Sequence, residues 1–282
     1  MTTSTAAAHS PEALAGIAIR LAERAGSRVL DLRRRGVEVQ ASKSSAIDIV
    51  TAADRESERM IVEALRAERP DDGVFGEEGA GIAGTSGITW VIDPIDGTAN
   101  YLYDLPAYAV SIAATVADDA AFADGRRAVA SAVHNPRTGE TFDAWEGGGA
   151  RLNGRTIRIS GQAELAASLV GTGFGYTVER KLEQIEMVTR VLPRIRDIRR
   201  FGSAAYDLCL LAAGRLDAYF ERGLQPWDYA GGALIALEAG AELLGRDAST
   251  PPGEPLLCAA DPALVRELRD VVLGADGAST PA

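Results

Sequence analysis

The sequence predicts an α+β fold, with an antiparallel sheet in an N-terminal lobe and a mixed α/β C-terminal lobe. Three observations carry this. Between Ala107 and Trp145, strand-like segments follow one another through short turns, the pattern of an antiparallel sheet. From Ser160 onward, short apolar runs alternate with helix-period segments, which indicates an α/β lobe. At 282 residues and 46% hydrophobic content, the chain can bury a large core and suits one two-lobed domain or two modest ones. The expected division is a disordered tail over 1–10, an N-terminal α+β lobe over 11–155, a C-terminal α/β lobe over 156–275 and a disordered end over 276–282.

The elements follow in order. Pro11 to Arg34 places Leu14, Ile17, Ala18, Leu21, Ala25 and Val29 at the helical period, with proline in the first turn and Gly36 past the end. Val37 to Gln40 suggests a short strand. Thr51 and Asp54 have capping-box spacing and open a helix to Arg69. Val74-Phe75 steps into Gly76-Glu77-Glu78-Gly79, and a Gly/Ser/Thr loop runs to Gly87. Strands are expected over Ala107–Ala117, Ala128–Asn135 and Thr141–Trp145, with turns at 147–149 and 153–154. The second half reads as strands near 169–172, 195–199, 217–221, 243 and 256–259, and helices over 179–191, 203–213, 226–239 and from 262.

Charge and composition exclude several functions. Twenty-nine basic against 40 acidic side chains give −11, which argues against a nucleic-acid surface built on a basic stripe. The N-terminal stretch carries Glu12, Arg20, Glu23 and Arg24, so it is neither a signal peptide nor a membrane span, and a cytoplasmic protein is expected. Cys209 and Cys258 each sit in an apolar segment and read as buried thiols. His9 and His134 are too few and too far apart for a histidine metal site.

The chemistry centres on Trp90 to Tyr101, WVIDPIDGTANY. An apolar run delivers the chain to Asp93, and Pro94 is expected to stop the strand there. Asp93 and Asp96 then emerge from a tight turn. Carboxylates about 4 Å apart repel by roughly 4 kcal/mol at an effective dielectric of about 20. A hard divalent cation with oxygen ligands answers that repulsion. Taken singly, the other acids have ordinary explanations. Glu77 and Glu78 resemble a solvated loop pair, and Lys43 and Asp48 lie in a polar loop. Asp54 completes a capping box. Asp228 follows Pro226 in a first helical turn, where an acid complements the helix dipole.

Together these segments resemble the inositol monophosphatase family, a branch of the metal- and lithium-sensitive phosphomonoesterases. The pattern W-x-x-D-P-[IL]-D-G-T-x-N-[FY] is met throughout Trp90 to Tyr101. WDYAGGALIALEAG, Trp227 to Gly240, matches W-D-x-A-x-G…E-A-G, with Gly231 where alanine is usual. KSSAIDIVTAAD, Lys43 to Asp54, resembles K-S-x-x-D-x-V-T-x-x-D, and the likeness covers residues 12 to 270. It implies a layered αβαβα sandwich like that of fructose-1,6-bisphosphatase.

The resemblance also implies roles. Glu77, Asp93 and the Ile95 carbonyl resemble ligands of a first Mg2+, and Asp93, Asp96 and Asp228 those of a second. A third, weaker ion would lie near Glu77, with the loop of Lys43 and Asp48 as a possible contributor. Thr98, supported by Asp54, resembles the residue that prepares the attacking water, and Glu77 is counted with them as catalytic. Gly97 and Thr98 amides would hold phosphate oxygens. Glu221 and Asp228 would bind substrate hydroxyls, Gly202, Ser203 and Ala204 would flank the sugar ring, and Arg199 would contact substrate. The implied chemistry is in-line attack of metal-activated water on a phosphate monoester, with no phosphoenzyme.

IRRFGSAAYDLC and DAYFERGLQPWD look most like the branch acting on myo-inositol 1-phosphate. Fructose-1,6-bisphosphate, histidinol phosphate and 3′-phosphoadenosine 5′-phosphate are the alternatives on the same metal site. Gly175, where many bacterial relatives carry proline, and Ala241 after Gly240 bear on substrate detail. A haloacid-dehalogenase-type phosphatase fails because its aspartates stand two apart, whereas Asp93 and Asp96 stand three apart. A non-catalytic role in a transcription complex is the reading from another class. Relatives are typically homodimers, and the long apolar strands offer an interface.

Overall fold

The computed structural model describes residues 10–36, 39–42 and 49–274. Lys43 and Asp48, and the tail segments 1–9 and 275–282, lie outside the described residues. Helix α1 (Pro11–Arg35) starts one residue after Ser10, whose side chain accepts the Ala13 amide as a cap. Strands β1 (Val39–Ser42) and β2 (Ile49–Thr51) pair antiparallel and lead into α2 (Ala52–Glu68), where the Thr51–Asp54 capping box forms.

Next come β3 (Gly73–Gly76), β4 (Gly81–Ile82), β5 (Thr89–Asp96), the short helix α3 (Thr98–Leu102), β6 (Ala109–Ala117), β7 (Arg126–Asn135), β8 (Glu140–Trp145), β9 (Gly149–Leu152) and β10 (Arg155–Thr156). They form an eight-stranded sheet in the order β10-β9-β8-β7-β6-β5-β3-β4. It is antiparallel except that β3 and β5 run parallel, because the chain crosses over through 77–88 between them. The turns expected at 147–149 and 153–154 flank β9, and the second closes an edge hairpin of β9 with β10.

The second half contains β11 (Leu169–Thr172), α4 (Val178–Val191), β12 (Asp197–Arg199), α5 (Ala204–Ala212), β13 (Ala218–Glu221), α6 (Pro226–Glu238), β14 (Glu242–Leu244), β15 (Leu257–Ala260) and α7 (Val265–Leu273). Its five strands are mixed, in the order β12-β11-β13-β15-β14.

Strand parity shows how the layers stack. Trp90 and Ile92 point into a core with α1 and α2, whereas Val91 points to the opposite core with α5 and α6. Tyr219, Leu257 and Ala259 face those same central helices from the second sheet. Phe220, Cys258 and Ala260 face α4 and α7. The result is an α+β fold of five layers, helix, sheet, helix, sheet, helix. Both cysteines are buried and unpaired.

Candidate active site

Strand β5 does not stop at Pro94. Asp93 pairs with Ser111 and Asp96 with Ala109, so three steps on β5 face two on β6 and one residue is extra. This is a bulge, where a proline without an N–H does least harm. The bulge folds the Ile95 amide back onto Asp93 Oδ1 at 3.0 Å. Both acids are held inside, Asp93 at 2% exposure and Asp96 at 8%. Gly97 follows at φ 93°, and a Cβ there would lie 2.9 Å from the Ala107 carbonyl oxygen, so the turn requires glycine.

Distant elements supply the remaining groups. Asp54, in the first turn of α2, accepts the Thr51 amide at 2.8 Å and the Thr51 hydroxyl at 2.5 Å on Oδ2. Its Oδ1 lies 3.0 Å from the Thr98 hydroxyl, which also lies 3.0 Å from the Ile95 carbonyl. Glu77 leaves β3 with its amide donated to the Ile92 carbonyl at 3.2 Å. Asp96 Oδ2 accepts the Ser203 hydroxyl and the Ala205 amide, each at 2.7 Å, at the start of α5. Asp228 Oδ2 accepts the Gln225 amide at 2.7 Å in the capping box of α6. Glu221 ends β13 and accepts the Tyr219 hydroxyl.

Except for Asp54, which is buried behind Thr98, the acids among these groups line one cleft of about 460 Å³. Glu77, Asp93, Ile95, Asp96, Thr98 and Asp228 stand on its floor side. Gly97, Gly202, Ser203, Ala204 and Glu221 also border it. Arg199 does not. Its guanidinium turns to Asp197 at 2.6 Å, and the neighbouring Arg200 lines the cleft instead. The doubled arginine in IRRFG carries no signal that distinguishes the two, because β12 ends between them. Sequence reading also missed Arg180, Arg222 and Trp227 on the wall, and Asp207, whose buried carboxyl stands behind Glu221 and Asp96.

Electrostatics make the acid cluster expensive. Burial pushes Asp93 well above the usual carboxylate range, and Glu77, Asp96 and Asp228 push it further. Asp228 is raised well above its ordinary value by burial and then by Asp96. Asp96 rises to about 6 through burial, despite the Ser203 and Ala205 hydrogen bonds that oppose the shift. Burial lifts Asp54 to about 6 and Glu221 to about 7.

Among the described residues, no three acids, histidines or cysteines converge tightly enough to form a preformed metal cluster. The donor set nevertheless fits a hard cation. It consists of carboxylates and one backbone carbonyl, all oxygen, and its members repel one another in a buried site.

The model of the inositol monophosphatase family matches residues 10–273. The chain belongs to that family. Inositol monophosphatases are phosphatases and are generally metal-dependent. Inositol-1-monophosphatase SuhB of Mycobacterium tuberculosis (strain H37Rv) is 45% identical over 236 residues, covering 80% of this chain and 79% of that protein. Nus factor SuhB of Vibrio cholerae is 39% identical over 227 residues, 80% of this chain and 82% of that protein. The solved extragenic suppressor protein suhB of Bartonella henselae superposes with a TM-score of 0.85 at 31% identity, covering 94% of this chain and 100% of that one.

Proposed function

We propose that the chain hydrolyses myo-inositol 1-phosphate to myo-inositol and phosphate, with Mg2+ as cofactor at two or three ions per subunit. The observation that carries this reading is the Thr98–Asp54 contact of 3.0 Å at the edge of an acid-lined cleft. Similarity to proteins named inositol-1-monophosphatase supports the substrate class. So does SaIMPase-II, described as inositol monophosphate bound, with a TM-score of 0.74 at 26% identity over 93% of this chain and 94% of that one.

Above the Asp54 pKa of about 6, its carboxylate accepts the hydrogen bond donated by the Thr98 hydroxyl. The Thr98 oxygen is then left to accept a hydrogen bond from a water, orienting it for attack. Glu77, Asp93, the Ile95 carbonyl, Asp96 and Asp228 would hold Mg2+, which supplies positive charge that lowers the pKa of water and stabilises the leaving oxygen. Gly97 and Thr98 amides receive phosphate oxygens at the start of the turn into α3. Glu221 accepts polyol hydroxyls, with Gly202, Ser203 and Ala204 beside the ring. The closing measurement is Mg2+-dependent phosphate release on a panel of inositol 1-phosphate, histidinol phosphate, fructose-1,6-bisphosphate and 3′-phosphoadenosine 5′-phosphate. Inositol 1-phosphate turned over no faster than histidinol phosphate overturns the substrate choice.

The Nus factor name of the Vibrio relative favours a second, partner-binding role beside hydrolysis. A cytoplasmic homodimer belongs to the same proposal. No helix among the described residues is long and apolar enough to cross a membrane. The long apolar strands do not offer the dimer surface expected of them, because they are buried between layers. Tyr103 and Leu105, 75% and 51% exposed just after α3, are the better-placed apolar surface. Sedimentation of the wild type against Tyr103→Asp tests this.

A further inference from the structure

Helix α2 presents Asp54, Ser57 and Glu58 on one face, at the i, i+3, i+4 spacing that brings side chains together. All three are buried, at 0%, 0% and 6% exposure. Each braces a different segment of the cleft floor. Asp54 holds Thr98. The Ser57 hydroxyl donates to the Pro94 carbonyl at 3.2 Å, behind the bulge that carries Asp93. Glu58 accepts the Glu78 amide at 2.9 Å and the Ala80 amide at 3.0 Å, gripping the loop that carries Glu77.

We propose that Glu58 is a positioning residue for the cation site, setting the Glu77 loop against the Asp93 bulge. Burying a carboxylate strips it of water at a large cost, so a core position would ordinarily take an apolar side chain. The same helix does that at Ile61 and Leu65. Glu58 is retained where two loop amides need an acceptor. The fit is close: a Cβ on Gly76 would lie 2.2 Å from Glu58 Oε2, so the strand end is bare where the carboxylate passes. The pairing of β3 with β5 ends at Gly76 opposite Ile92. Beyond that point, the Glu58 contacts anchor the loop to α2, and Ser57 on the same face anchors the bulge. One rigid helix thus fixes the distance between the two halves of the acid cluster.

This inference rests on the reading of Glu77 and Asp93 as cation ligands. The test is calorimetric titration of the full-length protein with Mg2+ alone, comparing wild type, Glu58→Gln and Glu63→Gln. Glu63 lies on the exposed face of α2 and serves as control. In Glu58→Gln an amide NH2 must face one of the two loop N–H groups, so one anchor is lost. Half-saturating Mg2+ should rise by about 10-fold or more, the range for removing a group that orients a ligand. Circular dichroism and, at saturating Mg2+, KM for the phosphate ester should stay close to wild type. If Glu58→Gln does not fold, Gly76→Ala takes its place, because the added methyl presses the intact Glu58 carboxylate off the loop and should produce the same rise. Unchanged Mg2+ affinity in a folded variant overturns the proposal, as does a wild type that binds no Mg2+. A wild type that binds Mg2+ but releases no phosphate sinks the hydrolase reading alone, and the titrations still decide Glu58.

Discussion

Asp96 Oδ2 accepts the Ala205 amide at 2.7 Å, so an acid from the first sheet caps a helix of the central layer. Ser203, at the N-cap position of α5, makes no capping bond of its own, and its hydroxyl donates to Asp96 instead. One carboxylate therefore serves both a helix start and the cleft floor.

Asp96→Asn should separate these duties. The amide oxygen can still accept from Ala205, so stability should fall by only about 1 kcal/mol, the scale of a weakened cap. Phosphate release should lose most of its rate, because the net charge that holds a cation is gone. A variant with the parental rate would remove Asp96 from the cation site. Chemical denaturation and a phosphate-release assay read the two effects separately.

The pH dependence of stability has a definite sign. Burial raises Asp54 from an ordinary 3.8 to about 6, and Glu221 from 4.5 to about 7. The folded state therefore holds protons that the unfolded chain has released, and stability falls as pH rises through that interval. In chelator, the melting temperature should be higher at pH 5 than at pH 8. Mg2+ should oppose the loss, because it favours the ionised acids. A cation-free protein that gains stability between pH 5 and 8 would contradict the buried-acid account.

Arg200→Ala should raise KM by about 10- to 100-fold, the scale of the roughly 1.5–3 kcal/mol typical of a charge-assisted hydrogen bond, while Arg199→Ala should change it little. Arg199 is already engaged by Asp197, whereas Arg200 lines the cleft and its charge opposes the rise of Glu221. Steady-state kinetics on both variants would reverse the assignment if Arg199 gave the larger effect.

Gln184 joins two cleft walls from behind. Its Oε1 accepts the Gly175 amide at 2.7 Å and its Nε2 donates to the Arg222 carbonyl at 3.1 Å. Gln184→Leu leaves both groups without that partner and should cost about 1–3 kcal/mol. KM should rise while Mg2+ affinity holds, since no cation-site acid touches Gln184. Thermal melts with parallel kinetics check this.

Much of this was legible in the residues. Helix α1, the Thr51–Asp54 box and the α6 start are local events, fixed by period and capping chemistry that neighbouring side chains announce. The bulge at Pro94 was not, because a proline reads as a stop unless the partner strand is known to carry on beside it. Arg200 was missed for a similar reason, since adjacent arginines differ only in what lies opposite them. Glu58 and Gln184 look like surface polar residues on amphipathic helices. Only the approach of loops 76–80 and 173–177 from elsewhere in the chain turns them inward.

The central helices α5 and α6 pack between the two sheets, and their core draws residues from both halves of the chain. Among the described residues, the two halves therefore share one apolar core rather than meeting along a seam. A backbone break in the connector between Thr156 and Leu165 would leave two fragments that still need each other to cover the same layer. The cleft inherits that indivisibility. Its acids come from β5 and from the start of α6, and neither fragment could assemble the site alone.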